Sequence, residues 1–405
     1  MMSTIIVIGA GAGGMMAALT AAERADNRVI LLERQARVGR KLLATGNGRC
    51  NLTNIHADLP HYHGEDAQFA AHALRSFSAE DTLAWFRGNG LLTVTEPSGR
   101  VYPLSNSANS VLDVLRFAIA GRENIDLRTG VCVTALRRGK GGFTVETEGE
   151  TIRADKVIVA CGGMAGGKLG GVQDGYALLC SLGHTRTALH PALVQLTTDP
   201  TWPRALKGVR ADARLTLRTK RTMLAQREGE VQFTEKGVSG PAAFDLARAV
   251  STGGEGLTLV LDLLRGYAPQ EVLTLLEQRQ RSAPHLTAED LLTGALHNRL
   301  GKTIIRYVNL KADTPLPELT RDELRQVARA CKGFTLPVRG TEGFAGAQVT
   351  AGGIRCTEFD PVTMQSRLVP GLYACGEVLD IDGDCGGFNL QWAWSSGRLA
   401  GRTMT

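Results

Sequence analysis

The stretch Ser3 to Arg34 constrains the fold more than any other part of the chain. Ile5, Ile6, Val7 and Ile8 form an unbroken apolar run, the pattern of a strand buried on both faces of a parallel sheet. Gly9, Gly11 and Gly14 follow in G-x-G-x-x-G spacing and open an Ala-rich helical stretch through Ala25. Val29 to Leu32 is a second apolar run, and it ends in Glu33. Each position has a physical role in a dinucleotide-binding turn. Gly9 makes the tight turn, Gly11 lets backbone approach a pyrophosphate, and Gly14 lets helix and strand pack closely. The helix N-terminus offers unpaired N–H groups and partial positive charge to that anion. Glu33 stands about twenty residues beyond the glycines, where an acid accepts from ribose hydroxyls. Strand, glycines, helix and acid in this order predict a dinucleotide site in an α/β domain.

A chain of 405 residues, 43% hydrophobic and 21% charged, is an ordinary globular protein with room for two or three domains. Its net charge of +6 suits an anionic cofactor or substrate and permits nucleic acid without requiring it. The eight cysteines include no C-x-x-C pair, so neither a zinc site nor a dithiol motif is expected, and no metal. Reduced thiols in the cytoplasm are the expectation. No apolar run approaches the roughly 18 residues of a membrane helix, and the N-terminus carries no basic and apolar leader pattern. A cytoplasmic protein away from membranes is expected.

Residues 37–54, R-V-G-R-K-L-L-A-T-G-N-G-R-C-N-L-T-N, concentrate Arg, Lys, Thr and Asn in a loop, which suggests contact with an anionic ligand. Residues 66–91 and 107–120 read as helices by apolar spacing, with Trp85 and Phe86 as core aromatics. Ala154 to Gly163 reads as a buried return strand running into a glycine turn. From Pro191 the chain changes to short β-like pieces: 192–197, 213–217, 223–233 and 257–261. From Pro269 to Lys332 the pattern turns helical, with Thr287 and Thr320 as N-caps ahead of acidic first turns. Strands then return at 346–350 and 371–377, followed by a closing helix.

Four pieces are similar to those of one family: Gly9–Gly14, Gly39–Asn51, Phe233–Pro241, and Gly371–Asp380 with G-G-F-N-L-Q-W-A-W-S-S-G at 386–397. On these the chain resembles the YhiN/BaiN/RdsA-type flavoproteins, the aminoacetone-oxidase-like NAD(P)/FAD-dependent oxidoreductases. The resemblance implies an α/β fold: a Rossmann-type FAD-binding domain with a three-layer, mostly parallel sheet, an inserted small β-domain and a helical subdomain. The implied division is 1–190 and 335–405 for the FAD-binding domain, 191–265 for the β-rich insert and 266–334 for the helical one. It implies FAD as cofactor, held by Gly9, Gly11, Gly13, Gly14, Glu33, Arg34, Arg40, Lys41, Gly48, Arg49, Cys50, Asn51, Val131, Gly162, Gly376, Glu377, Gly386, Gly387, Phe388, Asn389 and Leu390. Lys41 and Arg49 would neutralise the pyrophosphate, and N–H groups near Gly387 to Asn389 would reach the isoalloxazine. One departure stands out: family members carry Ser-x-Pro and Thr-Gly features after the return strand, and this chain has M-A-G-G-K-L-G-G-V-Q at 164–173.

Candidates for substrate chemistry are Cys50, either a thiol that neighbouring cations would depress or a small packing residue under the flavin, Asn51, and His190, with His184 nearby as a general acid or a structural histidine. Only one G-x-G-x-x-G lies between a strand and a helix, so a nicotinamide donor, NAD(P)H, would visit the flavin from the substrate side. The resemblance implies three enzymatic activities: an NAD(P)H-dependent reductase of an activated C=C bond, an oxidase of small amines giving peroxide, and a reductase of ribosomal RNA uridines. A flavin-binding assembly protein is the non-enzymatic alternative. A small-molecule substrate is the expected partner, with no stable protein partner. Arg204, Lys207, Arg210, Arg214, Arg218, Lys220, Arg221 and Arg227 would offset phosphates if the partner were RNA.

Overall fold

The computed structural model describes residues 3–402. The chain falls into two compact units: residues up to His190 together with those from Gln348 onward, and Pro191–Ala347.

In the first unit, β1 (Ser3–Ile8) lies between β2 (Asn27–Glu33) and the return strand Lys156–Val159. Ile125–Thr129 and Leu372–Ala374 complete the five-stranded sheet, and every neighbouring pair is parallel. Ile5, Ile6 and Val7 are wholly buried, which is why the strand sequence does not alternate. Helix α1 (Ala12–Ala21) ends earlier than the Ala-rich stretch that runs to Ala25. It is buried from Gly13 to Ala21, as expected of a helix that is apolar all round. Its outer face is covered by the last helix, Phe388–Arg402. Small residues set that distance: a Cβ on Gly397 would lie 2.4 Å from the Gly13 carbonyl oxygen, and one on Gly401 2.5 Å from that of Ala17. A three-stranded antiparallel meander, Val133–Gly139, Gly142–Thr147 and Thr151–Ala154, completes the unit's main β-structure.

The second unit is built on a closed six-stranded barrel. Its strands run Leu196–Thr198, Gly237–Ser239, Met223–Phe233, Arg210–Arg218, Thr258–Asp262 and Phe334–Thr341 around the barrel. The last of these was not expected as a strand. Pro337 interrupts its pattern, yet the run pairs along Thr258–Leu261. The boundary expected at 335 therefore falls inside this unit, which extends to Ala347. The helices Pro269–Ser282, Asn298–Tyr307 and Arg321–Lys332 interrupt the barrel between its fifth and sixth strands. Thr320 caps the last of them in a capping box with Glu323. Thr287 precedes only a short 3-10 turn and makes no capping bond. No helix among the described residues is long and apolar enough to cross a membrane.

Candidate functional site

The glycine turn after β1 does three separate things. Gly9 has φ +103°, and a Cβ there would strike the Ala160 carbonyl oxygen at 2.6 Å. A Cβ on Gly14 would sit 1.8 Å from the Gly9 oxygen, so Gly14 lets α1 close onto the turn. Gly11 caps α1, and a Cβ there would meet nothing within 4 Å. Gly13 serves packing, since its Cβ position is 3.2 Å from the Ala393 oxygen of the last helix. Glu33 is locked to the turn: its carboxylate accepts the Ala10 N–H (2.9 Å) and the Gln35 N–H (2.8 Å), and its carbonyl accepts the Val131 N–H (2.9 Å). Each carboxylate oxygen keeps a second lone pair.

The cations expected around a pyrophosphate are engaged by protein acceptors. Lys41 donates to Glu377 Oε2 at 2.6 Å, and the other Glu377 oxygen accepts the Thr350 N–H at 2.8 Å. Arg34 pairs with Asp174 at 2.7 Å, and Arg40 donates to Gln35 and to the Lys168 carbonyl. Arg49 bonds Glu96 (3.0 Å) and Asn106 (2.5 Å) and lies over the Tyr102 ring. The helix N-terminus and its bare backbone offer further groups suited to an anion.

Cys50 is not an activated thiol. It is fully buried, and burial pushes the thiol up to about 12, outweighing a hydrogen bond from Thr45. The expected cationic help is absent because Arg49 faces the 93–103 hairpin side of the loop. Gly48 stands open beside it, with no atom within 4 Å of its Cβ position. His190 opens the short strand His190–Ala192. His184 is buried, hydrogen-bonded to Glu358 and Ser366 and stacked on Phe359.

The G-G-F-N-L-Q-W-A-W-S-S-G motif turns out to be a fastening device. Gln391 is wholly buried; it donates to the Phe77 carbonyl and Thr82 (both 3.0 Å) and accepts from Thr53 (2.6 Å). Trp392 donates to the Gly376 carbonyl (3.1 Å), and Trp394 to that of Leu52 (2.9 Å). Ser396 accepts the Gly376 N–H at 2.9 Å. One helix thus holds the end of the strand Leu372–Ala374 and the 50–54 loop in fixed positions. Both tryptophans are buried, one against Phe69 and the other against Phe86. Leu390 packs at the edge of the core. Asn389 clamps the preceding turn, accepting the Gly383 N–H (2.9 Å) and donating to the Gly383 carbonyl (2.7 Å). Asn54 holds the Gly386 carbonyl at 2.9 Å.

At the start of that helix lies a cluster that sequence reasoning missed. Asp384 accepts from His61 Nδ1 (3.0 Å) on one oxygen and His63 Nε2 (2.8 Å) on the other. The His61 ring stacks on Phe388 with centroids 4.3 Å apart, and the Tyr62 hydroxyl donates to the Phe388 carbonyl at 3.0 Å. The segments Tyr62–His63 and Asp382–Gly383 pair antiparallel, and the Asp384 N–H donates to the His61 carbonyl. The H-x-H spacing was the available signal: in extended backbone, residues two apart share a face.

Two observations test whether FAD fits here. Asn51 Oδ1 is buried with no hydrogen-bond partner, and a Cβ on Gly387 (φ +101°) would lie 2.9 Å from it. A buried acceptor left unsatisfied costs about 1–3 kcal/mol, so the position calls for a ligand donor. Cβ positions on Gly11, Gly162 and Gly376 meet nothing within 4 Å. Bare backbone therefore lines the carboxyl ends of three adjacent parallel strands, where dinucleotides bind. The residues fit the cofactor.

The sequence matches the HI0933-like protein Rossmann domain over residues 3–403. It is 40% identical over 405 residues to a 3-dehydro-bile acid delta(4,6)-reductase of Clostridium scindens, covering 99% of this chain and 98% of that one. It is 29% identical over 391 residues to a ribosomal RNA dihydrouridine synthase of Escherichia coli, covering 96% and 95%. The fold is shared with a 3-ketosteroid delta1-dehydrogenase of Sterolibacterium denitrificans, at TM-score 0.50, 13% identity and 99% coverage of both chains. The chain belongs to the HI0933-like Rossmann family and is an FAD-dependent oxidoreductase.

Proposed function

We propose that the protein is a reductase that takes hydride from NAD(P)H and delivers it to a carbon–carbon double bond conjugated to a carbonyl. The end-to-end 40% identity with a bile-acid delta(4,6)-reductase carries this reading. When bound, FAD supplies the hydride chemistry. In this reading the turn 9–14 receives the pyrophosphate on backbone N–H groups, and Glu33 offers its remaining lone pairs to the ribose. Lys41 with Glu377 and Asn51 hold polar contacts along the cofactor, and the N-terminus of the last helix faces the flavin ring.

A second reading, reduction of uridine in ribosomal RNA, is favoured by the dihydrouridine synthase relative. Its chemistry is also saturation of a conjugated C=C, so the two readings differ in substrate rather than reaction class. The basic residues of the insert give it less support than their number suggests, because some face acids. The hairpin register sets Arg214 opposite Glu228, and that pair bonds at 2.6 Å. Arg210 meets Glu230 and Lys207 meets Glu235. Three of the eight basic residues, Lys207, Arg210 and Arg214, are thus paired with acids.

The test is anaerobic stopped-flow bleaching of the flavin band by NADH, NADPH and, separately, small amines, then reoxidation by a 3-oxo-4,6-diene steroid or by ribosomal RNA. Bleaching by a nicotinamide and reoxidation by the steroid is the expected result. Bleaching by amines alone would replace the reading with an oxidase, and reoxidation by RNA alone would move it to the second reading.

A further inference from the structure

Saturating a conjugated double bond requires a hydride at the β-carbon and a proton at the α-carbon. The fold brings one group suited to the second task to the start of the last helix, and the inference rests on the reductase reading. We propose that His61, held by Asp384, is the general acid that protonates the substrate α-carbon.

The carboxylate of Asp384 only accepts, so His61 must present Nδ1–H to it across their 3.0 Å contact. That fixes the tautomer and leaves Nε2 as the atom at which a proton is gained or lost. The His61 side chain is 38% exposed, and its ring is immobilised face-on against Phe388 at 4.3 Å. Phe388 adjoins Gly387, whose Cβ position lies 2.9 Å from the unsatisfied Asn51 Oδ1. Through Phe388 the ring of the acid is tied to the turn whose Gly387 approaches that unsatisfied acceptor. His63 shares the same carboxylate through Nε2 but among the described residues stacks on no ring, and it acts as a positioning residue for Asp384. In the step, hydride addition at the β-carbon shifts the π pair into an enolate. The enolate carbonyl reforms as the α-carbon takes the proton from His61 Nε2. The N–H bond breaks, a neutral imidazole remains, and solvent reprotonates it.

The experiment compares wild type with H61Q, H63Q and D384N in the two half-reactions, using NADPH or NADH for reduction and the 3-oxo-4,6-diene steroid for reoxidation. H61Q should slow reoxidation by about 10²-fold or more, the usual share of a general acid. Its rate of flavin reduction should stay within about twofold of wild type, because the acid is not used there. H63Q should lose less than H61Q. In the apo-protein, ¹⁵N imidazole spectra should show His61 protonated at Nδ1, a preference that D384N removes. Should H61Q fail to fold, D384N and H61N give the same reading. Reoxidation of H61Q at the wild-type rate, or a larger loss in H63Q, overturns the assignment while the reductase reading stands. A wild-type flavin that the steroid cannot reoxidise overturns both.

Discussion

His184 and His61 have nearly the same surroundings. Each ring stacks on a phenylalanine at an interplanar angle of 20°, Phe359 for one and Phe388 for the other. Each Nδ1 meets a carboxylate, Glu358 at 2.9 Å and Asp384 at 3.0 Å. The second ring nitrogen separates them. Ser366 Oγ accepts the N–H groups of Leu368 and Val369, so its own proton goes to His184 Nε2 at 3.0 Å. That imidazole is neutral, fully satisfied and 0% exposed, against 38% for His61. A carboxylate and a stacked ring make a histidine rigid. An open nitrogen is what lets it move a proton.

The largest effect that would break this comparison comes from changing the two carboxylates in the same way. D384N should slow flavin reoxidation by about 10²-fold or more, whereas E358Q should leave that rate unchanged and lower the unfolding midpoint. Equal losses of rate in both variants would mean that the two histidines do not differ in function.

Sequence made one half of this site legible and concealed the other. Gly9, Gly11, Gly14 and Glu33 follow one another within a single strand–helix–strand unit, so their places in the turn are encoded locally, and the strand Met223–Phe233 was likewise readable as a β-like piece set off by turn signals. The His61–Asp384 contact joins residues 323 apart, and no local pattern brings them together. The choice between an activated and a packing Cys50 stayed open for a related reason: proximity to Arg49 in sequence says nothing of burial, and burial governs that thiol. Arg210 and Arg214 gave no hint of their acid partners, because the hairpin brings Glu230 and Glu228 to them from the next strand. The family motif at 386–397 was visible, but its work as a fastener of Gly376 and Leu52 required the fold.

The next contrast sharpens the structural side. H184Q takes a partner from the half-buried Glu358 and leaves the buried Ser366 hydroxyl without its acceptor, and should cost about 1–3 kcal/mol of stability by urea unfolding. Reoxidation should be unaffected. A catalytic loss in H184Q as deep as that of H61Q would place His184 back among the acids.

A smaller effect is a pH slope. Burial lowers the His184 pKa from its ordinary 6.5, against the raising influence of Glu358. The folded state therefore holds fewer protons than the unfolded chain below pH 6.5. The stability from the neutral ring is full above that pH and is lost as pH falls through the folded value. For Glu358, burial would raise the pKa, but hydrogen bonds from Thr185 and from His184 bring it below its ordinary 4.5. Its contribution is thus lost only at pH below 4.5. Unfolding curves should show a decline beginning just below pH 6.5 that H184Q flattens, and an unchanged slope in H184Q would assign the decline to another group.

The smallest contrast replaces the two phenylalanines. Stacked aromatic pairs are worth about 0.5–1.5 kcal/mol beyond buried area. If the Phe388 ring holds His61 in its working orientation, F388L loses that energy from the transition state, roughly a two- to tenfold drop in reoxidation. F359L loses a similar energy from the folded state alone, seen as a lower unfolding midpoint at wild-type rate. Phe388 also sits at the start of the helix facing the proposed flavin site, so flavin affinity must be measured beside the rate. A fall in rate with unchanged affinity locates the effect in the orientation of His61. A fall in affinity alone would make Phe388 part of the cofactor's seat, leaving Asp384 as the group that orients the acid.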